Sequence, residues 1–586
     1  MRSPDAAQLP AAERCFSRMT VGSYMKSAGQ SQSRGQSASR PASPTERRPG
    51  WGQNQDHLRR AVWSACRAAP AELRRETVSR IGFPTRDRPD GLKRAVVSYL
   101  ENARAFGREP EVSVVDDSRA EPMVATYRRA FNELADEHGI AVRYADRRRR
   151  LLFAGELAQQ AGLEPRIVRF ALLGDERCPQ TYGGCRNTLL LDAVGRLALQ
   201  ADDDTICRPA GPPERGDAQG RLVLASNTDP NELWFFGSAD EALASAVDTK
   251  VDVFAVHERY LGRSPSPCIV EVAGGSEALI DVSTLDAHAL AHLDSPDARI
   301  AATFLGTAGD SGALFPLRFL NRGATFRRMV ASKASYRLAA TSRHMIRVVQ
   351  HPTISDGYAC MTTHAGFDCR ALLPPFMPVN RNEDGVFACL LHRLFPHWYA
   401  AFDPTTIRHI PPETRMLSAR DLRERLRSCL ANGTLVQLIA GFRLTDHAAA
   451  SATDLCRLGQ SLARLGSASE TEFDDVLRSV RASTVARRLE EAEQRLDEEP
   501  EAPDYWVADV RDYLRVTRSI PAQPDSHIPA DLPGSARDRM LVFRDLVRQF
   551  GELLQAWPDI FASARRLAEA GHGPAVTLSS FPRAAR

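Results

Sequence analysis

The sequence predicts an α/β fold followed by a mainly α-helical C-terminal domain. Three observations carry this reading. Between 81 and about 210, short β-branched runs alternate with amphipathic helical patterns. Two of those runs end in acidic residues, as a sheet with a site at its carboxyl edge requires. After Thr414 strand-like stretches give way to helical patterns with start signals. The expected organisation is a disordered basic tail over 1–54, a short helical lead-in over 55–80, an α/β domain over 81–414 and a helical domain over 415–586.

Each element has a local reason. IGFPT (81–85) is a short apolar strand stopped by Pro84. Asp90 caps a helix with Leu92, Ala95, Val96, Tyr99 and Leu100 on one face. Val112–Val115 is a second strand, running into Asp116 and Asp117. Ser118 and Glu121 have capping-box spacing before a helix that buries Met123, Tyr127, Phe131 and Leu134. Arg166–Leu172 reads as a third strand, leading through a glycine-containing loop to a helix that Gly195 ends. Arg196–Ala201 is a fourth strand and delivers Asp202, Asp203 and Asp204. Further on, Leu222–Ala225 and Cys268–Val272 read as strands. Ser418 and Asp421 form another capping box ahead of Leu422, Leu426 and Leu430. Residues 490–504 carry eight acids against one Arg, a solvated helix end or linker. Phe543, Leu546, Val547, Phe550, Leu553, Leu554 and Trp557 form one apolar stripe, which Pro558 stops.

Composition narrows the function classes. The chain has 586 residues, 43% hydrophobic and 25% charged, so at ~150 residues per domain two or three domains are expected. Its 76 basic and 73 acidic residues leave a net charge of +3, too even to point to nucleic acid or an anionic membrane as partner. No apolar window long enough for a membrane helix occurs, and no secretory h-region follows the basic N-terminus. Eleven cysteines without a C-x-x-C pair read as reduced thiols of a cytoplasmic protein. The Ser-, Gln- and Arg-rich stretch 1–50 cannot bury enough apolar surface to order itself.

The sharpest chemical signal is QADDDTI (200–206). Side chains alternate along an extended chain, so Asp202 and Asp204 point the same way, an arrangement suited to a hard cation such as Mn²⁺ or Mg²⁺. The alternative is a solvated Asp-rich turn. VSVVDDS (112–118) is a second acidic strand end, fit for a nucleobase or ribose or simply for helix capping. GGCRNTLLL (183–191) places a glycine pair and Arg186 at a helix start, which suits a diphosphate or a tight turn with a surface Arg.

In order, PTRDRP after the first strand, VVDDS after the second, the RNTLLL–DDD block and PVNRNEDGVF (378–387) resemble the family 2-like glycosyltransferases of the GT-A fold, most densely over 81–206 and 373–396. The resemblance implies a nucleotide-diphospho-sugar transferase sheet with helices on both faces. It implies that Thr85, Asp87, Asp116 and Asp117 line the nucleotide pocket and that Arg186 faces the diphosphate. It implies further that Asp202 and Asp204, with Asp203 beside them, hold Mn²⁺ or Mg²⁺. Asp384 becomes the general base and Glu383 its neighbour. The donor is a UDP- or GDP-type sugar and the reaction inverting. An Asp stands at 87 where the pattern has Asn, the D-x-D is a triple Asp, and no Q-x-x-R-W-like segment follows, which argues against a processive synthase.

Other signals are bland. GDSG (309–312) resembles a serine-protease segment but reads as a turn after Thr303–Leu305; Cys178, Cys185 and Cys207 have no zinc spacing; Arg147–Arg150 reads as a solvated turn. His409 is a loop histidine or a late metal ligand. A nucleotidyltransferase would want glycine after the first strand, which PTRDRP lacks. A non-catalytic nucleotide-sugar-binding scaffold is the other alternative. The C-terminal stripe closes a core within the chain, covers the cleft or pairs two copies in a homodimer.

Overall fold

Val, Ile and Leu alternating with small residues build four parallel strands in the order β3-β2-β1-β4: β1 (Val78–Thr85), β2 (Glu111–Asp116), β3 (Val142–Ala145) and β4 (Leu197–Ala201). The computed structural model describes residues 51–68, 76–214, 220–226, 229–286, 289–290, 292–293, 295–311, 316–356, 360–412, 424–442 and 451–577. The chain divides into Met1–Asn54 and Gln55–Arg586, and the whole sheet belongs to the second unit. The expected tail over 1–50, the Ser418–Asp421 capping box and the expected boundary at 414 lie outside the described residues.

Helices cover both faces of these strands. α1 (Trp51–Ala68) precedes β1, α2 (Pro89–Ala105) follows it and α3 (Glu121–His138) follows β2. α4 (Arg147–Ala161), α5 (Pro165–Leu173) and α6 (Tyr182–Asp192) lie between β3 and β4. The two-residue period of β4 sorts its side chains: Leu197 and Leu199 pack with Tyr99, Phe131 and Phe254, whereas Ala198 packs with Phe153, Val168 and Leu190.

Beyond β4 the sheet continues through antiparallel β13 (His364–Asp368) to β10 (Arg299–Asp310), β14 (Trp398–His409), β12 (Thr353–Ser355), β6 (Leu222–Ala225) and β9 (Ile280–Thr284). β5 (Thr205–Gly211), β7 (Glu232–Phe235), β8 (Val247–Asp248) and β11 (His344–Val348) attach at its side. α7 (Ala239–Ser245), α8 (Val253–Glu258), α9 (Pro265–Val272), α10 (Gly323–Val330), α11 (Lys333–Thr341) and α12 (Glu383–Leu394) fill the connections. Then come α13 (Ala431–Ala440), α14 (Ser451–Ser467), α15 (Glu470–Glu498), α16 (Asp504–Arg518) and α17 (Ala536–Glu569). Last, β15 (Val576–Thr577) pairs with β3, so the C-terminal region supplies an edge strand.

Several local expectations are corrected. Arg166–Leu172 is helix α5, because Pro165 at its start presets a helical φ and Val168, Ala171 and Leu172 turn into the core. The third strand is instead β3, only four residues long and too short to declare itself. Cys268–Val272 likewise belongs to a helix opened by Pro265. Arg88, not Asp90, is the N-cap of α2. α3 starts without a side-chain cap, since the Ser118 hydroxyl accepts the Asp87 N–H instead. Thr303–Asp310 is continuous strand, so Gly309 and Asp310 of GDSG belong to the end of β10 rather than to a turn after Leu305. Pro558 does not end α17, which runs on to bury Ile560, Phe561 and Ala564. The Phe543–Trp557 stripe is buried within this chain, and the Trp557 Nε1–H donates to the Leu373 carbonyl at 2.6 Å.

Candidate functional site

β1 and β4 are neighbours, and the strand order reverses between them. In such sheets the crevice outside the carboxyl ends of the strands at that point is where ligands bind. A cleft of about 860 Å³ opens there, within the size range of small-molecule sites. Thr85, Asp87, Asp117, Arg186, Asp202, Asp203, Asp204, Glu383, Asp384 and His409 all line it. Asp116 does not: its carboxylate is turned inward, accepting from the Ser118 N–H at 2.7 Å and the Tyr144 hydroxyl at 2.6 Å.

β1 presents Thr85, whose hydroxyl donates to Asp203 Oδ2 at 2.7 Å and so couples the ends of β1 and β4. Asp87 adopts a left-handed φ of 55° in the turn beyond β1. Asp202–Asp204 form the tight turn from β4 into β5. α6 starts at Tyr182, so Arg186 lies one turn deeper than its glycine pair suggests. That pair serves close packing: a Cβ on Gly183 would sit 1.9 Å from the Met377 carbonyl oxygen. The segment after Met377 is thereby held against α6, and it carries Glu383 and Asp384 into the first turn of α12 behind Asn382 (φ 71°).

Arg186 is the hub. Its Nη2 donates to Asp202 Oδ1 at 2.8 Å, its Nε lies 3.5 Å from Glu383 Oε1, and its Nη1 is buried with no hydrogen-bond partner. Arg88 reaches Asp204 Oδ2 at 3.0 Å and Asp203 Oδ1 at 3.4 Å. His409, at the end of β14, has Nε2 3.1 Å from Asp204 Oδ1 and donates from Nδ1 to the Asp310 carbonyl at 2.7 Å.

Crowding of buried acids sets the electrostatics. Burial, then the charge of Asp204, pushes Asp203 up to about 7. Burial raises Asp202, Glu383 and Asp384 as well, with Arg186 opposing it at each. Burial alone would lower His409, but its hydrogen bond to Asp204 and the charge there outweigh it and bring it to about 9. Asp117 goes the other way: despite burial, Arg150, Thr181 and Arg147 hold it below the usual carboxylate range.

The oxygens of Asp202 and Asp204 suit a hard divalent cation, and His409 beside them would join only on giving up the proton it shares with Asp204. Among the described residues no group of three or more His, Cys, Asp or Glu side chains is gathered for a metal. A cation there would take its remaining ligands from substrate and water, as Mg²⁺ usually does. Burial first, and the crowding of neighbouring carboxylates second, raise Asp202 and Asp203, and a divalent cation would favour their ionised forms.

Four side chains around the cleft went unread in the sequence. Arg88 stood inside PTRDRP without a role. Arg147 and Arg150 belong to the first turn of α4 and both pair with Asp117, Arg150 being fully buried, instead of lying in a solvated turn. Tyr127 lies under the β1 turn, its hydroxyl 2.9 Å from Thr85 Oγ1 and accepting from the Arg88 N–H at 2.7 Å. Cys178, Cys185 and Cys207 are buried free thiols. No helix among the described residues is long and apolar enough to cross a membrane. A scan against protein-family models, a search of the curated proteins and a search of the solved structures each found no match to this chain.

Proposed function

We propose that this protein is a glycosyltransferase of the GT-A type, moving a sugar from a UDP- or GDP-type donor to an acceptor hydroxyl with inversion. One observation carries the reading: at the strand-order reversal Arg186 bridges the acidic turn after β4 and the acidic start of α12, with one guanidinium nitrogen buried and unbonded. That nitrogen has a donor to spare beside the cleft, and the planar fork suits a diphosphate. In this reading Arg186 offers Nη1 to the charge that develops on the leaving diphosphate, strengthened by its dry surroundings. Asp202 and Asp204 would hold Mn²⁺ or Mg²⁺, which supplies Lewis-acid stabilisation of the same charge. Thr85, Asp87 and Asp117 bound the nucleotide end of the cleft. Asp384 takes the acceptor proton; its upward shift moves it toward the working range of a general base. Glu383 faces Arg186 and steadies it.

The test is hydrolysis of a nucleotide-sugar panel with Mn²⁺, with and without EDTA. Turnover of one donor class that chelation abolishes is expected. Absence of both donor binding and hydrolysis across the panel defeats the reading, and binding without turnover would favour a non-catalytic nucleotide-sugar-binding protein.

A further inference from the structure

Beneath the cleft runs a buried file of polar side chains that the proposed chemistry does not use. Thr303 Oγ1 in β10 is 2.6 Å from His257 Nδ1 in α8. His257 Nε2 is 2.9 Å from His364 Nε2 at the start of β13. His364 Nδ1 is 2.9 Å from the Tyr99 hydroxyl of α2, which lies 3.3 Å from Thr205 Oγ1. Thr205 Oγ1 donates to the Asp202 carbonyl at 2.7 Å. Every side chain in the file is at most 2% exposed.

Proton counting fixes its direction. The Asp202 carbonyl only accepts, so the single Thr205 hydroxyl proton points there. Thr205 then has only lone pairs for Tyr99, which must donate to it. Tyr99 has no second proton, so it accepts from His364, whose Nδ1 carries the hydrogen. A neutral His364 is bare at Nε2 and accepts from His257 Nε2–H. His257 is bare at Nδ1 and accepts from Thr303. Burial holds His257 well below its ordinary value and His364 down to about 3, so both rings are neutral.

We propose that these five side chains form a one-directional hydrogen-bonded chain from Thr303 to the Asp202 carbonyl, which positions the acidic turn from below. Its role at the turn rests on the reading of Asp202–Asp204 as a functional site; its direction does not. Partners of this kind, one step removed from a site, hold its ligands in orientation.

Two measurements on the full chain decide it. With ¹⁵N-labelled histidine, long-range proton–nitrogen spectra are expected to show His364 protonated at Nδ1 and His257 at Nε2. Amide hydrogen exchange over Asp202–Thr205 is expected to quicken about ten-fold in Thr205→Val, the worth of one buried hydrogen bond, and to return to the parent rate in Thr205→Ser. His364 protonated at Nε2 alone overturns the direction; exchange in Thr205→Val equal to the parent overturns the positioning role. Neither readout needs a cation or donor, so failure here is told apart from failure of the proposed function.

Discussion

Adjacent acids in this cleft have different surroundings, and under the proposed function these give them different tasks. Glu383 is turned to Arg186, while Asp384 accepts from the Gly385 N–H at 2.8 Å and lines the open cleft. Asp384→Asn is therefore expected to keep donor affinity and lose transfer by about 10²–10⁴-fold, read as kcat at saturating donor. Titration gives a second expectation. Asp203 is raised from 3.8 to about 7, so the stability linked to its protonated form is full below about pH 4 and lost as pH rises through 7. His409 is raised from 6.5 to about 9, so its contribution is full below about 6.5 and lost through 9. Without added cation, unfolding free energy should fall from pH 4 to 9, at up to about 1.4 kcal/mol per pH unit for each group in its own window. Asp203→Asn should flatten the acid half, and Mn²⁺ should restore stability at pH 8, both followed by urea titration. The acids of this site were legible because runs of carboxylate at strand ends are conspicuous. Arg150 was not, because a four-arginine run gives no sign of which member points inward.

Elements declared themselves where period and punctuation agreed. β1, β2 and β4 stand within three residues of their expected bounds, because β-branched or aliphatic runs bounded by turn residues leave little choice. α5 and α9 were missed because their apolar runs are short and dense, a pattern that fits a buried strand equally until the proline at the first helical position is given weight. The glycine pair of α6 has a use that the sequence did not show: read as suiting a diphosphate or a tight turn, it lets two backbones touch. Gly183→Ala should accordingly cost roughly 1–3 kcal/mol or more, since its Cβ meets backbone that cannot swing aside. Gly155→Ala, on the exposed face of α4 with nothing within 4 Å, should instead stabilise by about 0.5–1 kcal/mol. Denaturant midpoints of the two variants check the contrast.

At the scale of the molecule, the C-terminal helices and the α/β layer share one core: Phe550, Leu553 and Trp557 of α17 belong to the same cluster as Phe153, Val168 and Leu190. Seven buried stripe residues at roughly 1.5–3 kcal/mol each make a sum on the order of 10 kcal/mol, comparable with the whole stability of a typical domain. A chain ended at Thr414, which also loses β15, should aggregate on size-exclusion chromatography. Helical character after Thr414 was legible from start signals and the apolar stripe; its dependence on the layer was not, because a stripe shows that a face must be buried and is silent on what buries it. The join between β4 and β13 has a mechanical consequence. Five residue pairs stitch them, and the Asp202 N–H bonded to the Thr363 carbonyl carries the stitching into the acidic turn. Nutcracker bending about that line would have to tear the ladder, so the sheet acts as a single slab. Under the proposed function the cleft is a mould cast before its contents arrive, and swinging of one side of the slab toward the other contributes nothing to choosing among donors.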